Sequence, residues 1–317
     1  MTVNIKISDW LSGPVTHLHF RRETDSPKKW GFDRYQFTPE AAVRYLEKLG
    51  LKKPIITDTH HALGSLNLER IEKSQKKLTR EEKKQLVKST SEFLEKRFST
   101  YHSPQILSSV EVDIINNKGE LDLTNNCLKR VRFVIASFHS FIWKIFNNRK
   151  EYFAKDILDG YQRAIKNPNI DALGHPTKLP KKLIEVMKPE CFTKIIRLLP
   201  ENHVAFEIEI LEDFSAKRHK LTRNVIAKAI KLGVNFICSS DFHQFDNLQC
   251  LKAVSYPKET VYRTNVDSIY CQCKTVHETI KKRLLRNISL LRELGLKPRQ
   301  IINSSNERFL DWFKQKN

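Results

Sequence analysis

Acidic residues are in short supply. Asp and Glu number 36 against 56 Lys and Arg over 317 residues, a formal net charge of +20. That excess suits a polyanionic partner or a phosphorylated substrate, and it equally suits a lysine-biased proteome. No long apolar run is present. The most apolar stretch, Phe133 to Phe146, is interrupted by His139, Ser140 and Lys144, and it falls short of the about 20 residues a membrane-spanning helix needs. The opening residues, Met1 to Asp9, hold no long apolar core, so a secretory signal is not expected. Cysteine is sparse and unpatterned. Cys127, Cys191, Cys238, Cys250, Cys271 and Cys273 form no CxxC pair and no small-domain framework. A reduced, cytoplasmic setting is therefore expected, with Cys271 and Cys273 as two half-buried thiols. A composition that is 40% apolar and 29% charged excludes a disordered chain. A chain this long buries a large core without disulfides or a structural metal.

What is present is a rhythm. Short runs rich in Val, Ile, Phe and Leu recur at Val15 to Phe20, Pro54 to Thr59, Gln105 to Ile115, Phe133 to His139, Ile170 to Pro176, Val204 to Ile210 and Asn235 to His243. Each has the length of a strand. Helical stretches lie between them. Thr38 to Gly50 carries a Thr cap, Pro at the first turn and Gly at the stop. Leu179 to Leu199 and Leu221 to Gly233 place apolar residues three and four apart. Strand and helix in alternation predict parallel pairing. Seven strands suit a closed or nearly closed α/β barrel, with an open doubly wound sheet as the other arrangement.

Two segments interrupt the rhythm and are expected as insertions in a single domain spanning 1–317. The first, 67–100, is a charged helical stretch in which both signs interleave from Glu69 to Arg97. It reads as a solvated face or as a basic surface for nucleic acid or another partner. The second, at about 255–273, has no clear period.

Histidines and acids gather at the ends of the strand-like runs. The first run ends Thr16-His17-Leu18-His19, and residues two apart in a strand share a side. The second ends Thr57-Asp58-Thr59-His60-His61, and the third carries Glu111 and Asp113. The fourth ends at His139, the fifth at His175-Pro176, and the seventh at Ser240-Asp241-Phe242-His243. In parallel α/β folds the carboxyl edge of the strands holds the active site. A mixture of imidazole and carboxylate takes zinc, manganese or iron. A multi-metal site is the expectation.

These runs resemble the PHP family, named for the polymerase and histidinol phosphatase domain. The family pattern places HxH, TDH, GxE, SxH, HP and SDxH at successive strand ends. Here they are His17-Leu18-His19, Thr57-Asp58, Glu111, Ser137-Phe138-His139, His175-Pro176 and Ser240-Asp241-Phe242-His243, in that order. Ile301-Ile302-Asn303 followed by Glu307 to Phe313 is also family-like. The resemblance covers nearly the whole chain apart from the two insertions. There are departures. GxE has become Ser109-Val110-Glu111, and TDH reads Thr57-Asp58-Thr59-His60. A one-residue bulge would bring in His60 as ligand, with His61 as the fallback. Asp25, or else Glu23, would supply a further acid.

The resemblance implies a distorted seven-stranded barrel with two or three divalent ions (Zn, Mn or Fe) at the carboxyl ends of its strands. It assigns His17, His19, Glu111 and Asp241 to one ion, and Glu111, His139 and His175 to a second. Asp25, His60 and His243 would form a third site. Glu111, Asp241 and His243 would be the residues closest to the chemistry. Paired ions can clamp a phosphoryl group and bring the pKa of a bound water down to about 7, so no Ser or Cys nucleophile is needed. Arg21, Arg22 and Lys178 could contact phosphate. Glu207 and Glu209 would either steady a ligand imidazole or pair with a cation.

The implied function is a metal-dependent phosphoesterase acting on a nucleotide, sugar or amino-alcohol phosphate. A nucleic-acid phosphodiesterase of the same family is the alternative, although no recognised nucleic-acid module or stacking stretch accompanies the barrel. An amidohydrolase, or a non-catalytic RNA-binding subunit of PHP-like fold, fits less well. The amidohydrolase pattern lacks the final His243, and a decayed subunit would have lost its ligands.

Overall fold

The computed structural model describes residues 14–18, 43, 55–61, 77–99, 104–147, 153–210, 219–242 and 274–315. Seven strands form where the apolar runs lie: β1 (Val15–Leu18), β2 (Ile56–His61), β3 (Ile106–Asp113), β4 (Phe133–Ser137), β5 (Ala172–Leu173), β6 (Ala205–Glu209) and β7 (Phe236–Phe242). Each pairs in parallel with the next, and β1 also pairs with β7, so the sheet closes on itself in sequence order. The register shifts along β1 on both sides. The fifth strand is far shorter than the Ile170 to Pro176 run. The chain leaves the sheet at Gly174, and His175 takes a positive φ of 25°.

The helices are α1 (Arg80–Phe98), α2 (Asn125–Leu128), α3 (Ser140–Asn147), α4 (Ala154–Ala164), α5 (Lys181–Val186), α6 (Thr193–Glu201), α7 (Lys220–Lys231), α8 (Lys274–Glu293) and α9 (Asn306–Lys314). Among the described residues, none is long and apolar enough to cross a membrane. The expected continuous helix from Leu179 to Leu199 is broken. It runs as α5, a 3-10 turn at Pro189–Phe192, and then α6. Pro189 is the reason, because it forces the residue before it out of the helical region: Lys188 sits at φ −103°, ψ 155°. Helix α7 stops as expected at Gly233, whose φ of 73° suits glycine. The first turn of α1 is held by a reciprocal cap. Thr79 N–H donates to Glu82 Oε2 at 2.8 Å, and Glu82 N–H donates to Thr79 Oγ1 at 3.2 Å. Helix α1 occupies much of the 67–100 stretch, and it is not solvated all round: Leu94 and Phe98 join the main core. The Thr38 to Gly50 stretch, apart from Val43, and the 255–273 segment lie outside the described residues.

Strand alternation divides the packing in two. Val110 and Val112 of β3, Val134 and Ala136 of β4, and Phe206 and Ile208 of β6 join the large core shared with the helices. The residues between them face the other way. Phe133, Ile135, Ala172, Ala205 and Ile237 form a separate cluster with Ile302, Phe309 and Trp312. This cluster fills the amino-terminal end of the barrel. His203 stacks on Trp312, with ring centroids 3.6 Å apart, and the Phe133 and Phe309 centroids lie 5.7 Å apart. Further along the same strand faces the residues turn polar: Ser109, Glu111 and Asp113 on β3, and Glu207 and Glu209 on β6, all buried. The plug thus seals one end and leaves the polar positions at the other.

Asn303 fastens the seam of the barrel. Its Nδ2 donates to Pro14 O at 3.0 Å and to Cys238 O at 2.7 Å, and its Oδ1 accepts from Cys238 N–H at 3.0 Å. The residue is buried. Asn303→Ala removes three bonds and leaves buried backbone groups unmet, a loss of about 3 kcal/mol or more. A urea titration should show the midpoint falling sharply; an unfolding free energy within a few tenths of a kcal/mol of the parent would mean that Asn303 does not hold the seam.

Cys127 and Cys238 are buried. Burial, above all else, pushes each thiol up to about 12, so neither is a nucleophile at neutral pH.

Candidate metal centre

Glu111 lies on β3, His139 two residues beyond the end of β4, and His175 two residues beyond the end of β5. Three neighbouring strands therefore deliver the three side chains to one place. Among the described residues, Glu111, His139 and His175 are one group of carboxylate and imidazole donors whose ligating atoms all fall within 4.8 Å of one another. His175 Nε2 is 2.9 Å from Glu111 Oε1, and His139 Nε2 is 3.6 Å from the same oxygen. The two rings stand 5.4 Å apart at 62°. Donors bound to one ion at about 2.0–2.2 Å lie some 3–3.5 Å from each other. The observed spacing fits a divalent cation.

Both imidazole ligands are braced. Asp113, two residues past Glu111 on the same face of β3, accepts from His139 twice, at Nδ1 (2.8 Å) and at the backbone N–H (3.1 Å). A carboxylate only accepts, so Nδ1 carries the proton and Nε2 keeps its lone pair on the side of Glu111. Asp113 is itself fixed by Asp122, whose Oδ1 accepts the Asp113 N–H at 2.8 Å. Complete burial, with the Asp113 carboxylate beside it, holds the Asp122 carboxyl well above the usual range.

His175 is placed through its backbone. Its N–H donates to Glu207 Oε2 at 2.9 Å. The preceding residue must be glycine, because a methyl at position 174 would collide with Ser137 Oγ and lie 2.8 Å from Ile135 Cγ2. The positive φ at His175 is thus held by its surroundings on both sides. The two acids of β6 divide the roles expected of them. Glu207 holds a ligand-bearing backbone, while buried Glu209 pairs with Lys178 Nζ at 3.0 Å. His175, Lys178, Glu207 and Glu209 together line a cavity of about 130 Å³, whose other wall is apolar through Leu179, Ile184 and Leu221.

The other expected residues fall as follows. His17 lies in β1, His60 and His61 in β2, and Asp241 in β7. His19, Arg21, Arg22, Asp25 and His243 lie outside the described residues. The register of β2 on β3 pairs His61 with Glu111 and His60 with Val110. Asp113 and Asp122 were not among the expected site residues. For Asp113 the signal was available, since it follows Glu111 by the strand period of two.

Removing the charge of Asp113 is expected to loosen His139. Asp113→Asn should lower metal affinity about 10–100-fold, measured by titrating the metal-stripped protein with zinc or manganese. Unchanged affinity would mean that His139 is oriented by something else.

No family model matches the chain. Curated relatives do. A probable phosphatase of Acetivibrio thermocellus is 28% identical over 187 residues, which is 56% of this chain and 72% of the relative. Another from Caldanaerobacter subterraneus is 28% identical over 174 residues, covering 52% and 64%. A third, from Thermoanaerobacter, is 30% identical over 175 residues, covering 52% and 66%. The match thus spans about half of this chain and about two thirds of each of these relatives. Among solved structures, the histidinol phosphate phosphatase of Lactococcus lactis, in complex with zinc, L-histidinol and phosphate, aligns over 86% of this chain and 94% of its own. Its identity is 16% and its TM-score 0.41. Likeness at that distance leaves function to be argued from the site.

Proposed function

We propose that the chain is a metal-dependent phosphoesterase of the PHP type that hydrolyses a small phosphate ester. The observation that carries this reading is the convergence of Glu111, His139 and His175 at ligand spacing, with His139 held by buried Asp113 and His175 by buried Glu207 and the packing around Gly174. The name shared by the three relatives, probable phosphatase, supports it.

A divalent ion held there would polarise a phosphoryl oxygen and lower the pKa of a bound water. The chain's own residues do the rest. Glu111 contributes a buried carboxylate to the ligand set. Asp113 keeps the His139 Nδ1 proton in place, so that Nε2 remains a donor of electrons. Glu207 fixes the backbone that carries His175. Lys178, tethered by Glu209, stands on the cavity wall beside His175 as the described candidate for contact with a phosphate oxygen. The apolar wall of that cavity excludes water and would bound the organic part of a small ester.

Two or three ions, whether Zn, Mn or Fe, are part of the reading. His17, His19 and Asp241 complete the first site with Glu111. Asp25, His243 and a histidine of β2 complete a third, and for that histidine the backbone register favours His61 over His60. Asp241 and His243 stand with Glu111 as the residues nearest the chemistry, and Arg21 and Arg22 are further phosphate contacts. The chain is read as one barrel domain in a cytoplasmic setting, with 67–100 and 255–273 as insertions. The test is a screen of phosphomonoesters, nucleotides and short oligonucleotides with added manganese or zinc. Turnover of a phosphomonoester that chelation abolishes and metal restores is expected. No turnover of any ester by metal-loaded protein would overturn the reading.

A further inference from the structure

A second concave region lies along α1. It has a volume of about 950 Å³ and runs between α1 and the turn that follows β3. Arg80, Lys83, Lys84 and Lys88 line it from the helix, and Lys118 lines it from the turn. Glu120 is the acid among its lining residues. Arg80, Lys84 and Lys88 recur every four residues, so they stand on one helix face about 6 Å apart. Of the acids of α1, Glu82 caps the first turn, Glu95 pairs with Arg130 at 3.3 Å, and Glu81 and Glu92 make loose exposed pairs with Lys84 and Lys88 at 3.7 and 3.9 Å. Among the described residues, Arg80, Lys83 and Lys118 have no ion-pair partner. Partial burial lowers the Lys83 ammonium from its ordinary value, so an anion in the groove would be favoured beside it.

We propose that this groove binds the phosphodiester backbone of a single nucleic-acid strand, as an anchoring site separate from the metal centre. A row of evenly spaced cations suits a repeating anion better than one phosphate group. Asn116, Asn125 and Asn167 add amide groups to the wall, and these can bond phosphate oxygens. Phe146 is the aromatic ring of the lining and is buried, so the groove reads the backbone and not the bases. A flat anionic bilayer cannot follow a concave wall. The turn 114–121 continues directly from the strand that carries Glu111, so a strand held here runs beside the carboxyl edge of the barrel.

The experiment compares Arg80→Glu/Lys84→Glu/Lys118→Glu with the parent, both in a Glu111→Gln background that prevents cleavage. Binding of a fluorescent single-stranded DNA of about 16 nucleotides is read by anisotropy between about 50 and 200 mM salt. The triple variant should bind at least about tenfold more weakly. Its salt slope should be shallower by about two, because three contacts to a single strand release about 0.7 counterion each. With Glu111 intact, the same three changes should leave turnover of p-nitrophenyl phosphate within about twofold, since none of the three cations lies in the metal cluster. Equal affinity and slope for variant and parent would overturn the proposal. So would a parent protein that fails to bind the DNA, or one that prefers vesicles of phosphatidylserine to it. These results are independent of whether the metal centre hydrolyses phosphate.

Discussion

Glu111→Gln is expected to abolish phosphoester hydrolysis and to lower the metal content of the purified protein. The substitution keeps the shape of the side chain and removes its charge. Glu111 is fully buried, and one of its oxygens sits 2.9 Å and 3.6 Å from two imidazole nitrogens. A neutral amide there offers a cation no charge compensation in a low-dielectric site, where such compensation weighs most. Loss of activity by about a thousandfold or more, with metal content falling well below that of the parent, is the expected pair of results. Elemental analysis and a phosphomonoester assay measure them. The fold should survive, because the strand keeps its register and Val110 and Val112 still face the main core. A variant with full metal occupancy and near-parental turnover would remove Glu111 from the centre of the site.

The second large effect concerns the doublet His60-His61. His61→Ala should cost about a hundredfold or more in activity, and His60→Ala should cost much less. The argument is one of register. Strands β2 and β3 pair residue for residue, His61 with Glu111 and His60 with Val110, and directly opposed residues share a face of a sheet. Thr59 Oγ1 donates to Ser109 Oγ at 3.1 Å, which ties the face of Thr59 to that of Ser109 and so to that of Glu111 two residues on. Measuring kcat for both single variants settles the order. A reversed order would place a bulge between Thr59 and His60.

Part of this was legible in the sequence and part was not. Strand positions could be read because β-branched and aromatic residues cluster there, while several ends were missed, most of all in the short fifth strand, because side-chain chemistry says little about hydrogen bonding. His139 and His175 could be found because they fall at the ends of strand-like runs, and Glu111 because it is an acid within one. The choice between His60 and His61 could not, because it depends on how two strands align and not on either strand alone. The bracing of His175 by Glu207 was also hidden: residues 32 apart in sequence meet through a backbone N–H, which no side-chain pattern records. How helix α1 is seated was hidden for a related reason. Its charges dominate the composition, yet Leu94 and Phe98 are enough to seat it. The break at Pro189 was in plain view, since proline forbids the helical region to the residue before it.

The bond from Asn303 to Pro14 joins residues 289 positions apart, and β1 pairs with β7 through Thr16 with Ser239 and Leu18 with Phe242. On the ribosome, where chains grow at about 5–20 residues per second, β1 must therefore wait until β7 has been made before its second neighbour exists. The open sheet has two unpaired edges until then, and unpaired edges recruit other chains. Closure of the sheet is thus decided late, once β7 and Asn303 have been made. Conditions that slow synthesis or raise crowding should cost yield through aggregation of the open form before they alter the finished molecule.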